Sequence, residues 1–416
     1  MLLRPSIYFD YSAGSLDPRQ SFTRASAATY CDRNGIIRTR SAGNPRFGYQ
    51  PSNGQPLGWQ IGSQSTNYLL WSEDFTNAVW TKTSASVTAA MATAPDGNNT
   101  GSQIMATGAG GSVSQAFTIT ANDLIQYSLF ARKSASQFVS LTLSNGVNPC
   151  AVWFDLNQGV VGGNTPGGGS CVFSGAAIEA WPGGWFRCTM SVSTNASTNF
   201  TAAFQPASAN NASTATNDAV MAWGASLSHG VTGAFYGRTP AYIQTAAAQG
   251  SRANEISQFI LPDANFDPNQ GTFFVHYTVP VASGQAGWTG GSGNTINDYI
   301  SLRHSVRLDG GASNIFGTIV AGGVQVALAQ DTTSGIGFET PIRAAFAYKQ
   351  GDVAAFCVNG RPVVQSSIPA AWPAAPARIV VGGQPFNQNV LAEIAIRRFA
   401  YFPRKLTNAQ LIKLTT

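Results

Sequence analysis

Alternation with a period of two runs through almost the whole chain, and helical periodicity is nearly absent. In FRCTMSVS, Phe186, Cys188, Met190 and Val192 fall on one side, with Arg187, Thr189, Ser191 and Ser193 on the other. Successive side chains of a strand point to opposite faces, so such a segment buries one face and keeps the other polar. FVSLTLS repeats the pattern with Val139, Leu141 and Leu143, and GTFFVHYTVPV with Phe273, Val275, Tyr277 and Val279. EIAIRRF is expected to set Ile394, Ile396 and Arg398 opposite Glu393, Ala395, Arg397 and Phe399. Asn-Gly pairs at Asn34-Gly35, Asn53-Gly54, Asn145-Gly146 and Asn359-Gly360 offer the positive φ values of tight hairpin turns. One short helix is expected at the C-terminus, where Thr407 and Gln410 have capping-box spacing ahead of Leu411 and Leu414. The fold class that follows is all-β, built from antiparallel sandwiches.

A chain of 416 residues exceeds one ordinary domain. Residues 1–66 are rich in Arg, Gly, Pro and Ser and contain only short strand runs, so they read as an extended N-terminal segment. Residues 67–249 and 250–416 read as two strand-rich domains, with YIQTAAAQGSRANE as the linker between them. No heptads or internal repeats mark a fibrous shaft.

Only 10% of residues are charged, so the surface must be built from small polar residues, while 24 Phe, 12 Tyr and 9 Trp argue for ordered cores. The net charge of +5 is scattered, its densest group being Arg397, Arg398, Arg404 and Lys405. A nucleic-acid interface calls for a basic stripe instead, and none is expected. The five cysteines are odd in number, widely spaced and without CxxC, which excludes zinc ribbons and reads as reduced buried thiols. Cys150 and Cys171 are the two that can meet across a loop. MLLRPSIYFD lacks a signal-peptide core and no long apolar run occurs, so a soluble chain without membrane insertion or general export is expected.

Chemistry is sparse. Glu73 and Asp74, between Trp71 and Trp80, suggest a sugar-cleaving pair, but neighbours on a strand face opposite ways. Asp155 with Glu179, or Glu339 with Glu393, are pairs that only folding can test. His229, His276 and His304 have no metal spacing, and no nucleophile elbow or phosphate loop is present. No catalytic residue is therefore assigned. Trp153, Trp181, Trp185, Trp288 and Trp372 are the candidates to stack on sugars. Trp153 reads as core, whereas Trp288, in GQAGWTGGSG, is expected in an exposed loop as the ligand-binding residue.

Three stretches carry a family resemblance. FTRASAATYCDRNGIIRTRSAGNPRFGY resembles a segment near the start of many tailed-bacteriophage virion proteins of tail-fibre or head-binding type. NYLLWSEDFTNAVWTKTSASVT and AVMAWGASLSHGVTGAFYGRTP resemble the opening and closing strands of their carbohydrate-binding-like jelly roll. FCVNGRPVVQ and LAEIAIRRFAYFPRKLTNAQLIKL resemble the hairpin, last strand and terminal helix of a concanavalin A-like, or laminin-G-like, sandwich. The resemblance implies an attachment segment over 1–66, a jelly roll over 67–249 and a concanavalin A-like sandwich over 250–416. The Glu-x-Asp-x-x-Glu motif of that fold's glycanases is absent.

It further implies a structural virion component, assembled in the host cytoplasm. Such a tail fibre or fibre-like appendage docks to other virion proteins, binds host surface polysaccharide and forms a homo-oligomer such as a trimer. A capsid decoration or head-fibre protein and a polysaccharide-degrading tailspike are the alternatives. Such jelly rolls often hold a structural calcium, and the matching neighbourhoods contain Glu73, Asp74 and Asp218. Solvated acids at a strand edge are the preferred reading of those three, with no cofactor.

Overall fold

The computed structural model describes residues 4–120, 124–169, 171–230, 241–260, 266–281, 287–305, 314–331, 340–368, 371–385 and 393–416. The alternating segments form antiparallel strands in two sandwiches. Among the described residues no helix is long and apolar enough to cross a membrane.

The middle sandwich is contiguous in sequence. One of its sheets runs Thr81–Thr83, Ser112–Thr118, Asn199–Ala207, Phe138–Ser144, Cys150–Asp155 and Val160–Gly168. The other runs Cys171–Trp181, Trp185–Thr194, Leu124–Lys133, Ala219–Gly230, Gly101–Ala106 and Ala85–Ala92. Strand Val160–Gly168 joins them, pairing with Cys150–Asp155 as far as Pro166 and with Cys171–Trp181 through Gly167 and Gly168. The corner requires glycine: Gly167 has φ +70°, and a Cβ there would lie 2.3 Å from the Cys171 carbonyl oxygen. Val139, Leu141 and Leu143 meet Cys188, Met190 and Val192 in the core, as the alternation predicts.

The second sandwich draws on both ends of the chain. One sheet runs Val364–Ser367, Val353–Val358, Ile342–Lys349, Gln270–Val281, Glu393–Phe402, Pro56–Ile61 and Arg46–Tyr49, with Ile7–Asp10 also on Glu393–Phe402. The facing sheet begins with Gln20–Thr23 and continues through Ile256–Ile260, Arg378–Val381, Gly287–Thr295, Asp298–Ser305, Asn314–Ala321 and Val324–Asp331. The segment 1–66 is thus not a separate extended arm in this structure. Its Phe9, Tyr11, Trp59 and Ile61 pack in one core with Phe273, Phe346, Phe399 and Tyr401. Strands of four to six residues carry too little alternation to announce that partnership.

Three local expectations change. In Glu393–Phe402 the partners step from Ile396 opposite Tyr277 to Arg398 opposite His276, leaving Arg397 as a bulge. The bulge flips the phase, so Phe399 and Tyr401 continue the core begun by Ile394 and Ile396, and Arg398 is exposed. In NYLLWSEDFTNAVW only Asn67, the last residue of strand Ser65–Asn67, is strand, and turns follow. There Asp74 and Asn77 accept from the amides of Thr76 and Val79, an Asx-turn habit that competes with sheet pairing. Leu69 lies in the core, and Trp71 packs partly buried against that core at φ +50°. The expected linker is also ordered: Gly250–Arg252 pairs with Ser65–Asn67, and Tyr242 is buried.

The turn and helix expectations hold in part. Only at Asn359-Gly360 are both φ values positive, +46° and +70°. At the other three pairs the glycine alone is left-handed. Helix Asn408–Thr415 carries the full capping box of Thr407 and Gln410 and buries Leu411.

Candidate functional site

Where the two sandwiches, the N-terminal strands and the former linker meet, five charged side chains are buried together. Arg24 and Arg46 donate to Glu255 at 2.6–3.0 Å, and the Gly62 amide adds a bond of 2.7 Å to the same carboxylate. Burial alone would raise the Glu255 pKa, but Arg46, Arg252 and Arg24 around it leave it lowered. Arg252 pairs with Glu393, which also lies 3.7 Å from Arg46. This knot holds together the segments that line an adjoining cleft.

The cleft is shallow and partly open to solvent, with a cavity of about 80 Å³, below the roughly 300–1,000 Å³ of a site that engulfs a small ligand. Tyr30 comes from the hairpin Ala28–Cys31 and Ile37–Arg40, Tyr49 and Gln60 from the paired strands Arg46–Tyr49 and Pro56–Ile61, and Tyr242 from the former linker. The middle sandwich contributes Phe130, Arg187, Glu179 and Trp181, and Glu393 comes from the last strand. Phe130 is the packing centre: Trp181 meets it edge-on at 5.1 Å, Tyr242 at 6.1 Å, and the Arg187 guanidinium lies 5.3 Å from its centroid. Glu179 and Arg187 are cross-strand partners.

Two polar atoms of this wall are buried without a partner among the described residues, the Trp181 indole Nε1 and the Gln60 Oε1. Gln60 folds over Gly48, where a Cβ would come within 2.5 Å of that oxygen. One donor and one acceptor in the wall thus have no internal bond, and both atoms are covered by the surrounding protein.

Glu73 sits behind the cleft. The Tyr242 hydroxyl donates to it at 3.0 Å and the Gln244 amide at 2.9 Å, while burial raises its pKa. Glu73 thus positions an aromatic wall. Asp74 caps its own turn through Thr76, and Asp218 accepts from Ser136 Oγ and the Ala215 amide, both at 2.7 Å. The structure does not gather these three acids into a calcium site. Among the described residues no group of three or more His, Cys, Asp or Glu is placed to hold a metal.

Of the expected tryptophans, only Trp181 lines the cleft. Trp153 and Trp185 are buried, donating to the Ala212 and Thr93 carbonyls, and the half-buried Trp372 donates to Pro268. Trp288 is not in a loop: its backbone belongs to Gly287–Thr295, opposite Arg303, and its side chain lies outside the described residues. Asp155 closes a turn with Gln137, Asn157 and Gln158 and does not line the cleft with Glu179, and Glu339 lies outside the described residues. His276 and His304 are buried in the second sandwich, and the His229 backbone is in Ala219–Gly230.

No family model and no curated protein matches the chain. Among solved structures it is similar to the CBM40 module of the Ruminococcus gnavus IT-sialidase bound to α2,3-sialyllactose, with 13% identity over 36% of this chain and 84% of that one, at a TM-score of 0.29. It is also similar to domains LG4-5 of the mouse laminin α1 chain, with 11% identity over 71% of this chain and 91% of that one, at a TM-score of 0.26. At scores this low neither likeness carries an argument, and the all-β sandwich description rests on the strand pairings themselves.

Tyr30, Tyr49, Gln60 and Tyr242 escaped sequence reasoning. They lie in segments read as an arm and a linker, and their common signal is an aromatic or amide in otherwise small-residue chain. Chemically, the cleft offers aromatic faces, the Gln60 amide and the carboxylates of Glu179 and Glu393, with Glu393 paired to Arg252.

Proposed function

We propose that the chain is a non-catalytic glycan-binding protein that takes a sugar residue in the cleft between Trp181, Tyr30 and Tyr242. The observation that carries the reading is the cleft itself, partly open and walled by Tyr30, Tyr242 and Trp181 with Gln60 and Glu179 beside them. A pyranose presents an apolar face to an aromatic ring and hydroxyls at its edge, and the lining matches both. Titration calorimetry against host-surface oligosaccharides tests it: Trp181→Ala is expected to weaken binding at least tenfold with the fold intact. Equal binding by both proteins would remove the cleft from the function.

The proposal extends to a setting. The resemblance of Phe22–Tyr49 and its companions to tailed-phage virion proteins motivates a fibre-like appendage that docks to the particle and contacts host glycans. A head-fibre role uses the same modules. Immunogold labelling separates the two, and particles decorated on neither tail nor head would refute both.

One observation favours a second reading. Glu179 and Glu393 line one cleft, as the two carboxylates of a polysaccharide-degrading enzyme must. Release of reducing ends from host polysaccharide, abolished by Glu179→Gln, would establish that activity in place of simple binding.

A further inference from the structure

Cys150 and Cys171 lie on the two strands that flank Val160–Gly168 where it crosses from one sheet of the middle sandwich to the other. Cys150 pairs with Pro166, Cys171 with Gly168, and the left-handed corner at Gly167 folds one partner onto the other. A Cβ at Gly167 would stand 2.5 Å from the Cys150 sulfur, so the corner leaves no side chain between the two thiols. Their sulfurs are 3.2 Å apart, and both residues are fully buried in the core. Both are thiols in this structure.

We propose that Cys150 and Cys171 form a disulfide under oxidising conditions, a staple across the corner that joins the two sheets. The strand geometry already brings the sulfurs into contact, and the bridge closes a loop whose ends are 21 residues apart. The oxidant is a low-molecular-weight disulfide of the glutathione class. Cys171 leads: when it ionises, Cys150 donates to the thiolate, and that hydrogen bond lowers the Cys171 pKa. The Cys171 thiolate attacks one sulfur of the oxidant, whose S–S bond breaks and releases one small thiolate. Cys150 then loses its proton and attacks the Cys171 sulfur, releasing the second small thiol as the protein disulfide forms. Two protein thiols are oxidised and one small disulfide is reduced to two thiols. Both thiols are fully covered in the folded chain, so the exchange takes place while the neighbouring turns at Val147 and Gly169 are open, as during refolding.

The test uses the full chain, refolded in a mixture of reduced and oxidised glutathione, alkylated under denaturing conditions and mapped by mass spectrometry. The expected result is a linked pair of peptides containing Cys150 and Cys171, lighter by two hydrogens and free of alkylation, with Cys31, Cys188 and Cys357 alkylated. The melting temperature of the oxidised chain should rise by roughly 5 °C or more over the reduced chain. Cys150→Ser should abolish the oxidant-dependent rise, and Cys188→Ala, a buried thiol elsewhere in the same core, should retain it. Full alkylation of both Cys150 and Cys171 after refolding, or a disulfide joining either to another cysteine, overturns the proposal. The peptide map is read on the unsubstituted protein and decides the matter even if a variant fails to fold.

Discussion

The middle sandwich takes its strands from residues 81–230, whereas the second sandwich needs residues 7–61 as well as 256–402. The first can form its core from neighbours along the chain. The second is complete only with strands from both ends of the chain, and they meet at the Arg-Glu knot as well as in the apolar core. Buried charges are costly unless fully paired, so this junction is a place where a single change has large consequences, and the cleft inherits that sensitivity.

The largest expected effect comes from removing the N-terminal strands. Deleting residues 1–61 removes Phe9, Tyr11, Trp59 and Ile61 from the second core. Truncating even one such large side chain costs about 3–5 kcal/mol, against a typical total stability of about 5–15 kcal/mol. The second sandwich is expected to lose all slow hydrogen exchange at Phe273–Tyr277, while Val139–Leu143 in the middle sandwich stay protected. Protection retained at both would show that the second sandwich is complete without the first 61 residues.

A point change sharpens the same contrast. Glu255→Ala leaves Arg24 and Arg46 buried without their shared carboxylate. The expected loss is about 3–5 kcal/mol, read as a lower urea midpoint for the second sandwich's transition. A change below 1 kcal/mol would mean that water reaches the knot and compensates the guanidinium groups.

Acid should separate the two sandwiches next. Burial pushes the pKa of both His276 and His304 down to about 4, with Arg343, Arg397 and Arg398 adding to the shift of His276. An unfolded histidine titrates near 6.5, so between about pH 6.5 and 4 the unfolded chain binds protons that the folded chain refuses. Stability is therefore full above about pH 6.5 and falls as the pH drops toward 4, by up to about 3 kcal/mol for His304. His304→Phe should flatten that slope in the second sandwich, followed by its melting temperature across the window. An unchanged slope would place the pH dependence elsewhere.

Much of the architecture was legible because its strands are long and cleanly alternating. Val139–Leu143 and Cys188–Val192 each commit one face to the core, as a half-buried strand must. The partnership between chain ends was not legible, since short strands such as Ile7–Asp10 fix neither register nor partner. The bulge at Arg397 was invisible because a period of two gives no warning of an inserted residue. The cleft was hidden for a related reason. Its lining spans Thr29 to Glu393, and Tyr30 and Tyr242 become neighbours only once the hairpin and the supposed linker dock, where Thr29 Oγ1 donates to the Tyr242 carbonyl. Glu73, singled out by its tryptophan neighbours, is indeed close by, where it accepts from the Tyr242 hydroxyl and holds that ring in place.

The smallest effect is expected where local sequence alone decided the structure. Thr407 accepts from the Gln410 amide at 3.3 Å while the Gln410 side chain accepts from the Thr407 amide at 2.9 Å, closing the capping box of the terminal helix. Thr407→Ala leaves one helix N–H to water and should cost about 1 kcal/mol. The helix packs Leu411 on the outer side of the second sandwich, against Phe274, Ala345 and Cys357, apart from the main core. The loss should therefore appear in the second sandwich's urea midpoint and leave the middle sandwich's unchanged. Leu411→Ala, which empties that outer contact, should cost about 2–5 kcal/mol in the same transition. If the two substitutions cost the same, the helix is held by its cap, and the second sandwich ends at Phe402 rather than at the chain terminus.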